Sequence, residues 1–426
     1  MNSNNSRLKF FRQLKEEVRG SKEHLLVGID VAKDKHNAFF GTATGKTLLR
    51  RLIFENNKNG FELLRSRAEE LQIEFNLKKV VYGLEPTSNY HKPLGEYLIK
   101  SNDNIVMVSG VAVSKNRELL DGRWDKHDAK DSANVADLIS QGKCLYYDFP
   151  SLELRDLRNL LSLKRRLKKQ DHSTKIRIRN HLIAQYFPEL DKYYNVGSEG
   201  LKIVKWCLDP AVISNLEYND FVKLITPGNM NVSQERRLQA IWKAAEISIG
   251  CKAGVVLDFE AKLMIEDLEH IKKAITAVEE QIKNICLKFE EYNYLLSIPG
   301  FGPDISSKVL GAIGDPFRYN KAKQVIKMSG FDLCASRSGT KSDMMIPVIS
   351  KRGKASLRFA LYQAAFIAST QNKYFRAYYI NKLRGREKEK GIKTKMRVKL
   401  AVKMLTIAWT LMKKREAFDP SYLRLE

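Results

Sequence analysis

Apolar residues run in short blocks over the first 150 positions and recur at helical spacing after them. HLLVGIDVAKDKHNAFF, from His24, is apolar up to Ile29 and then polar, which predicts a strand followed by a turn; TLLRRLIFENN predicts a second strand. GFELLRSRAEELQIEF has one apolar helical face. KKVVYGLEPTSNYH predicts a buried strand ending at Glu85, HKPLGEYLIKS a helix, and NIVMVSG a further strand. Strands and helices alternate to about Pro150, so an α/β domain with a mainly central sheet is expected over residues 1–150.

From Leu152 the spacing is that of long helices. LRDLRNLLSLKRRLKKQDHSTKIRIRNHLIAQYF sets an apolar stripe beside a cationic face of Lys164, Arg165, Arg166, Lys168 and Lys169, either a solvated face or one that binds nucleic acid. Residues 188–250 predict an insertion of short helices. LDFEAKLMIEDLEHIKKAITAVEEQIKNICLKFEEY repeats apolar positions over several turns with alternating charge, the pattern of a helical hairpin arm or coiled coil, and such an arm is expected to join subunits. IPGFG, inside YLLSIPGFGPDISSKVLGAIGD, has the look of a helix-hairpin-helix turn whose amides face a phosphate, or of an ordinary glycine-rich turn. Residues 371–415 carry 15 basic residues against Glu387 and Glu389, interleaved with Tyr374, Phe375, Tyr378 and Tyr379.

Charge narrows the partner. The net charge of +25 is unevenly placed: residues 1–150 hold 24 basic and 20 acidic side chains, and the remainder holds 50 and 29. A cationic back half suits a polyanion, and nucleic acid fits better than a membrane, because no apolar run is long enough to span and the amino terminus lacks a signal-peptide core. The five cysteines form no CxxC pair, so neither zinc nor a disulfide framework is expected and the reading is cytoplasmic.

Against that background RWDKHDAKD is odd, with Asp125, Asp128 and Asp131 at i, i+3 and i+6 in a basic chain. On a helix these carboxylates share a face and repel unless a cation sits among them. Asp30 follows the first strand and Glu85 ends a later one. Packed across adjacent strand ends, a helix bearing Asp128 and Asp131 would complete four carboxylates, which stay ionised together only around hard divalent cations. Two such ions about 4 Å apart serve phosphodiester chemistry, and magnesium is the candidate.

GIDVAKDKHNAFF, GLEPTSNYH and KHDAKDSANVADL resemble, in order and spacing, the three acidic blocks of the DEDD insertion-sequence transposases (the insertion-sequence-110 family). SIPGFGPDISSKVLGAIGDPFRY, SGFDLCASRSGTK and ISKRGKASLRFALYQAA resemble that family's second domain. The resemblance implies a ribonuclease H-like domain, similar to a Holliday-junction resolvase, over 1–150; a helical linker and coiled-coil arm over 151–292 with the insertion at about 188–250; and a small helical transposase domain over 293–426. It implies that Asp30, Glu85, Asp128 and Asp131 bind two magnesium ions, with manganese as a substitute, and that Ser338 is the nucleophile. Asp125 falls outside the quartet, and His127 stands where the family usually has a small polar residue. Arg337, Lys341, Lys351, Arg352 and Arg358 would surround the phosphate.

The same resemblance implies a recombinase that conserves bond energy as a phosphoserine ester, guided by a structured bridge RNA that pairs with donor and target DNA. Its acidic and serine parts would come from different subunits of a dimer that assembles to a tetramer on DNA in the bacterial cytoplasm, at the nucleoid. Three other readings compete. A sugar-kinase-like ATPase shares the strand and GID but needs phosphate-binding glycines that GLEPTSNY lacks. A junction endonuclease would use water and not Ser338. A non-enzymatic nucleic-acid binder would need none of the acids.

Overall fold

The computed structural model describes residues 3–121, 128–194, 199–226, 228–334 and 347–423, and the chain divides into two compact units, 1–150 and 151–426. The first unit runs α1 (Ser3–Glu17), β1 (His24–Asp30), β2 (Lys35–Thr42), β3 (Thr47–Glu55), α2 (Lys58–Glu74), β4 (Lys79–Glu85), α3 (His91–Lys100), β5 (Ile105–Met107), α4 (Gly110–Asp121), α5 (Asp128–Ser140) and β6 (Leu145–Tyr146). The six strands among the described residues lie in the order β3-β2-β1-β4-β5-β6. β1, β4 and β5 are parallel and the outer pairings antiparallel, a mixed sheet compatible with a ribonuclease H-like domain.

Side chains alternate across this sheet and define two cores. Leu25, Val27, Ile29, Tyr82 and Leu84 meet Phe61 and Leu64 of α2 and Leu94 and Leu98 of α3. Leu26, Val81 and Val106 meet Leu14 of α1, Val18 just after it, and Val135, Ala136 and Ile139 of α5. Covered on both faces, β1 is buried from His24 to Ile29, which is why it reads as a continuous apolar run.

The stretch read as a polar turn after Ile29 is in part a strand. β2 pairs with β1 from Leu25 opposite Thr42 to Asp30 opposite Asn37, and its polar His36 and Asn37 are 0% and 7% exposed. Buried polar side chains broke the apolar alternation that would have announced it.

Among its described residues the second unit is helical apart from a small ribbon. α6 (Leu152–Arg177) continues through a π-helical turn, Ile178–Ile183; short helices from Asp191–Tyr194 to Val232–Glu246 follow. Then come α7 (Val255–Cys286), α8 (Glu290–Leu296), α9 (Pro303–Ile313), α10 (Ala322–Ser329), the paired strands β7 (Leu333–Cys334) and β8 (Val348–Ile349), α11 (Ala355–Gln371), α12 (Lys373–Leu383) and α13 (Ile392–Lys414). Among the described residues no helix is long and apolar enough to cross a membrane.

α6 and α7 run antiparallel: Leu154 and Leu157 share a core with Ile282 and Cys286, Lys164 pairs with Glu279, and His181, beyond α6, lies 3.5 Å from Glu260. The apolar repeat that predicted a subunit-joining arm is therefore used within the chain. Leu257, Ala261, Ile265 and Leu268 enter the core of the short-helix segment, whereas Val278, Ile282 and Cys286 enter the carboxyl-terminal core. The length of the repeat no longer argues for a partner subunit.

Candidate active site and nucleic-acid surface

β1 and β4 end together, and their parallel register sets Asp30 opposite Glu85. Paired strands lie about 4.8 Å apart, so the two carboxylates are neighbours. Both residues are half-buried and, by alternation from Leu26 and Val81, belong to the face that α5 covers. Two residues earlier on that face the strands carry Gly28 and Gly83. A Cβ at Gly28 would lie 2.1 Å from the Ser132 carbonyl oxygen and 2.6 Å from the Ala136 nitrogen, and one at Gly83 would lie 2.1 Å from Ile139 Cδ1. Glycine is what lets α5, which opens at Asp128, rest directly on the strands bearing Asp30 and Glu85.

That seat is testable. Gly28→Ala should push α5 off β1, because the opposing atoms are backbone, at a cost of about 2 kcal/mol. The melting temperature should fall by roughly 5 °C. Unchanged melting by calorimetry would contradict the close contact.

Glu85 is positioned from a second side. A Cβ at Gly110, the first residue of α4, would come within 2.7 Å of Glu85 Oε1, so the carboxylate lies against the positive end of that helix, where a negative charge is favoured. Gly110→Ala should displace the carboxylate without loosening the fold, since alanine suits a helix better than glycine. The DNA cleavage that the resemblance implies should drop tenfold or more, following the ~10²-fold effect of a 1 Å misplacement, with melting unchanged. Wild-type cleavage rates would remove Gly110 from the site. On the β1 side His36 accepts a hydrogen bond at Nδ1 from the Ala32 N–H, 3.2 Å, and steadies the turn after Asp30. Burial holds its pKa below the usual value, which keeps Nδ1 an acceptor.

Asp131 is 2% exposed. Arg117 of α4 donates to its Oδ1 from Nε at 2.8 Å and from Nη2 at 2.5 Å, and nearby Asn116 donates to Asn134 Oδ1 and Asp137 Oδ2 at 3.0 and 2.7 Å. These bonds lock α5 to α4. The side chain of Asp128 lies outside the described residues, as do Arg123, Asp125 and His127. Asp30 and Glu85 offer the hard oxygen donors that divalent cations take and fit such an ion as two of its ligands. Among the described residues no group of three or more candidate ligands is assembled, and Asp131 is engaged by an arginine.

The cationic residues of the second unit divide by role. Lys164, placed by the sequence on the cationic face expected to meet nucleic acid, is buried, and donates to Asp304 Oδ1 at 2.5 Å and pairs with Glu279 Oε1 at 2.8 Å. Burial disfavours its ammonium, but the bonds to Asp304 and Glu279 outweigh burial and hold its pKa above the usual value. It ties α6, α7 and α9 together and has no charge to spare for a phosphate. Arg165, Arg166, Lys168 and Lys169 are exposed. Arg358 donates from Nη1 to the carbonyls of Ser329 and Gly353 at 2.8 and 3.1 Å, a packing role. Lys351 and Arg352 are exposed, while Ser338, Arg337 and Lys341 lie outside the described residues. At IPGFG, Gly300 has φ +89° and faces the Ala364 carbonyl, 2.8 Å from where its Cβ would be. Asp304, bound also by Lys308 at 2.6 Å, already occupies the first turn of α9. Packing and a resident carboxylate account for this turn.

Two family models match the chain. One, described as a transposase of the DEDD IS110 type, covers residues 27–188, and the other, described as transposase IS116/IS110/IS902 family, covers residues 292–380. The chain is similar to the insertion element IS110 uncharacterized 43.6 kDa protein of Streptomyces coelicolor, 24% identical over 83% of this chain and 86% of that protein. It is also similar to the insertion element IS116 uncharacterized 44.8 kDa protein of Streptomyces clavuligerus, 23% identical over 94% of this chain and 97% of that one. The pilin gene-inverting protein of Moraxella lacunata is 29% identical over 36% of this chain and 48% of its own length.

Proposed function

Because the chain belongs to the IS110/IS116 family of transposases and is on that ground a DNA transposase or recombinase, we propose that it cuts and rejoins DNA by transesterification, with Ser338 as nucleophile. Asp30 and Glu85, with Asp128 and with Asp131 once Arg117 releases it, would hold the divalent metal, two magnesium ions per site. The observation that carries this reading is the in-register pair of Asp30 and Glu85 at the ends of adjacent parallel strands. Bound there, the cations would offset the charge that gathers on the phosphate oxygens.

In the first step the Ser338 Oγ forms a bond to phosphorus as the P–O bond to the departing sugar oxygen breaks. The serine proton leaves Oγ, and the sugar oxygen gains one. The ester is as energy-rich as the bond it replaces, so a new DNA hydroxyl can reverse the exchange onto a different partner. Inversion of a gene, for which the Moraxella lacunata relative is named, requires rejoining as well as cutting, and this favours serine over water. A guide RNA that pairs with donor and target, and a dimer assembling to a tetramer, belong to the same reading. Val256, Phe259 and Leu263 of α7, at 73%, 70% and 50% exposure, supply apolar surface for such contacts.

The test is to incubate the protein, with magnesium and its copurifying RNA, on DNA matching that RNA, and to run the products under denaturing conditions. A covalent protein–DNA species is expected, formed by a particle of at least two chains in light scattering. Cleaved DNA without any adduct would support the junction-endonuclease reading instead.

A further inference from the structure

α11, α12 and α13 together contain eleven basic residues and no acidic one. Within α11, Leu357, Ala360, Leu361, Ala364, Ala365 and Ala368 take the core. The opposite side leaves Phe359 61% and Phe366 47% exposed. Seven residues apart, the two rings share a face about 10 Å apart along the axis. Phenylalanine is among the residues most often buried, so two on one open face of a cationic segment need an explanation.

Arg397 of α13 supplies the second observation. Its guanidinium carbon lies 4.5 Å from the centre of the Phe366 ring and 5.5 Å from that of Tyr379. Its Nε is buried without a hydrogen-bond partner, and among the described residues no carboxylate pairs with it. A cation held on ring faces keeps its charge available to an outside anion.

We propose that this face of α11, with Arg397, is a docking surface for unpaired nucleotides, whose bases stack on Phe359 and Phe366 while a backbone phosphate meets Arg397. Aromatic rings beside cations suit single strands, because every base has a π-face to stack and the phosphates meet the positive groove. Duplex bases are already stacked on one another and cannot use the rings. A protein partner would have to bring many carboxylates to three helices that have none, so charge complementarity favours a polyanion. The inference deepens the nucleic-acid reading above by naming the strand state the surface accepts.

The experiment uses the full chain in EDTA, so that no strand is cut and the outcome is independent of Ser338 and the acids. Fluorescence anisotropy would compare a labelled twelve-nucleotide oligothymidylate, its ribo counterpart, an abasic strand of the same length and a duplex. Phe359→Ala and Phe366→Ala should each weaken binding of the base-bearing single strands ~5- to 100-fold, leave the abasic strand and the duplex unchanged, and recover in Phe366→Trp. Arg397→Ala should weaken the base-bearing and abasic single strands alike and lower the salt dependence by about one phosphate contact. Equal losses for base-bearing and abasic strands, or no loss at all in the phenylalanine variants, would overturn the proposal even if the covalent adduct forms normally.

Discussion

The double substitution Asp30→Asn with Glu85→Gln should lower metal-dependent DNA cleavage by ~10³-fold or more, equivalent to about 4 kcal/mol of transition-state stabilisation. Both changes keep the size of the side chain and remove its charge. The residues sit half-exposed at strand ends, so the fold loses little. What disappears is the adjacent pair of anionic oxygens that the β1–β4 register creates, and with it the donor set a hard cation needs. Nucleic-acid affinity in EDTA should hold or rise slightly, because two negative charges are gone. Wild-type cleavage by the double variant, measured with magnesium, would take the metal out of this pair of carboxylates. Loss of nucleic-acid affinity along with cleavage would point to a binding role.

Ser338→Ala should abolish the covalent protein–DNA adduct and lower strand exchange by ~10⁴-fold or more, the scale on which removing a nucleophile acts. It separates two chemistries that the acids cannot, since serine and water would both depend on the same cations. If water is the nucleophile, the alanine variant still cuts. If serine is, the variant binds DNA and does nothing further. Peptide mapping that placed the DNA end on another residue would end the assignment of Ser338 while leaving Asp30 and Glu85 in place.

Parts of this architecture were legible because burial leaves a simple trace. β1 and β4 are covered on both faces, so they read as apolar runs, and each ends at an acid in the sequence as in the fold. Gly28 and Gly83 inside those runs carry a further signal, since glycine within a strand marks close approach of another segment. β2 was missed because its buried His36 and Asn37 are polar. Lys164 sits in sequence among charged neighbours, although it follows Leu157 and Leu161 at helical spacing and so lies on the apolar stripe. Arg117 and Gly110 had no local mark. Their partners, Asp131 and Glu85, are 14 and 25 positions away, and only the packing of α4 against α5 and β4 gives either residue its place.

α7 has a mechanical consequence. Its 32 residues form one uninterrupted helix of about 48 Å, with the amino-terminal half embedded in the core of the short-helix segment and the carboxyl-terminal half in the core that carries α11 and α13. A rod gripped at both ends is a lever. A tilt of about 5° imposed at one end moves the other by about 4 Å over that length, so strain applied to one core arrives at the other as displacement and is not absorbed by a flexible joint.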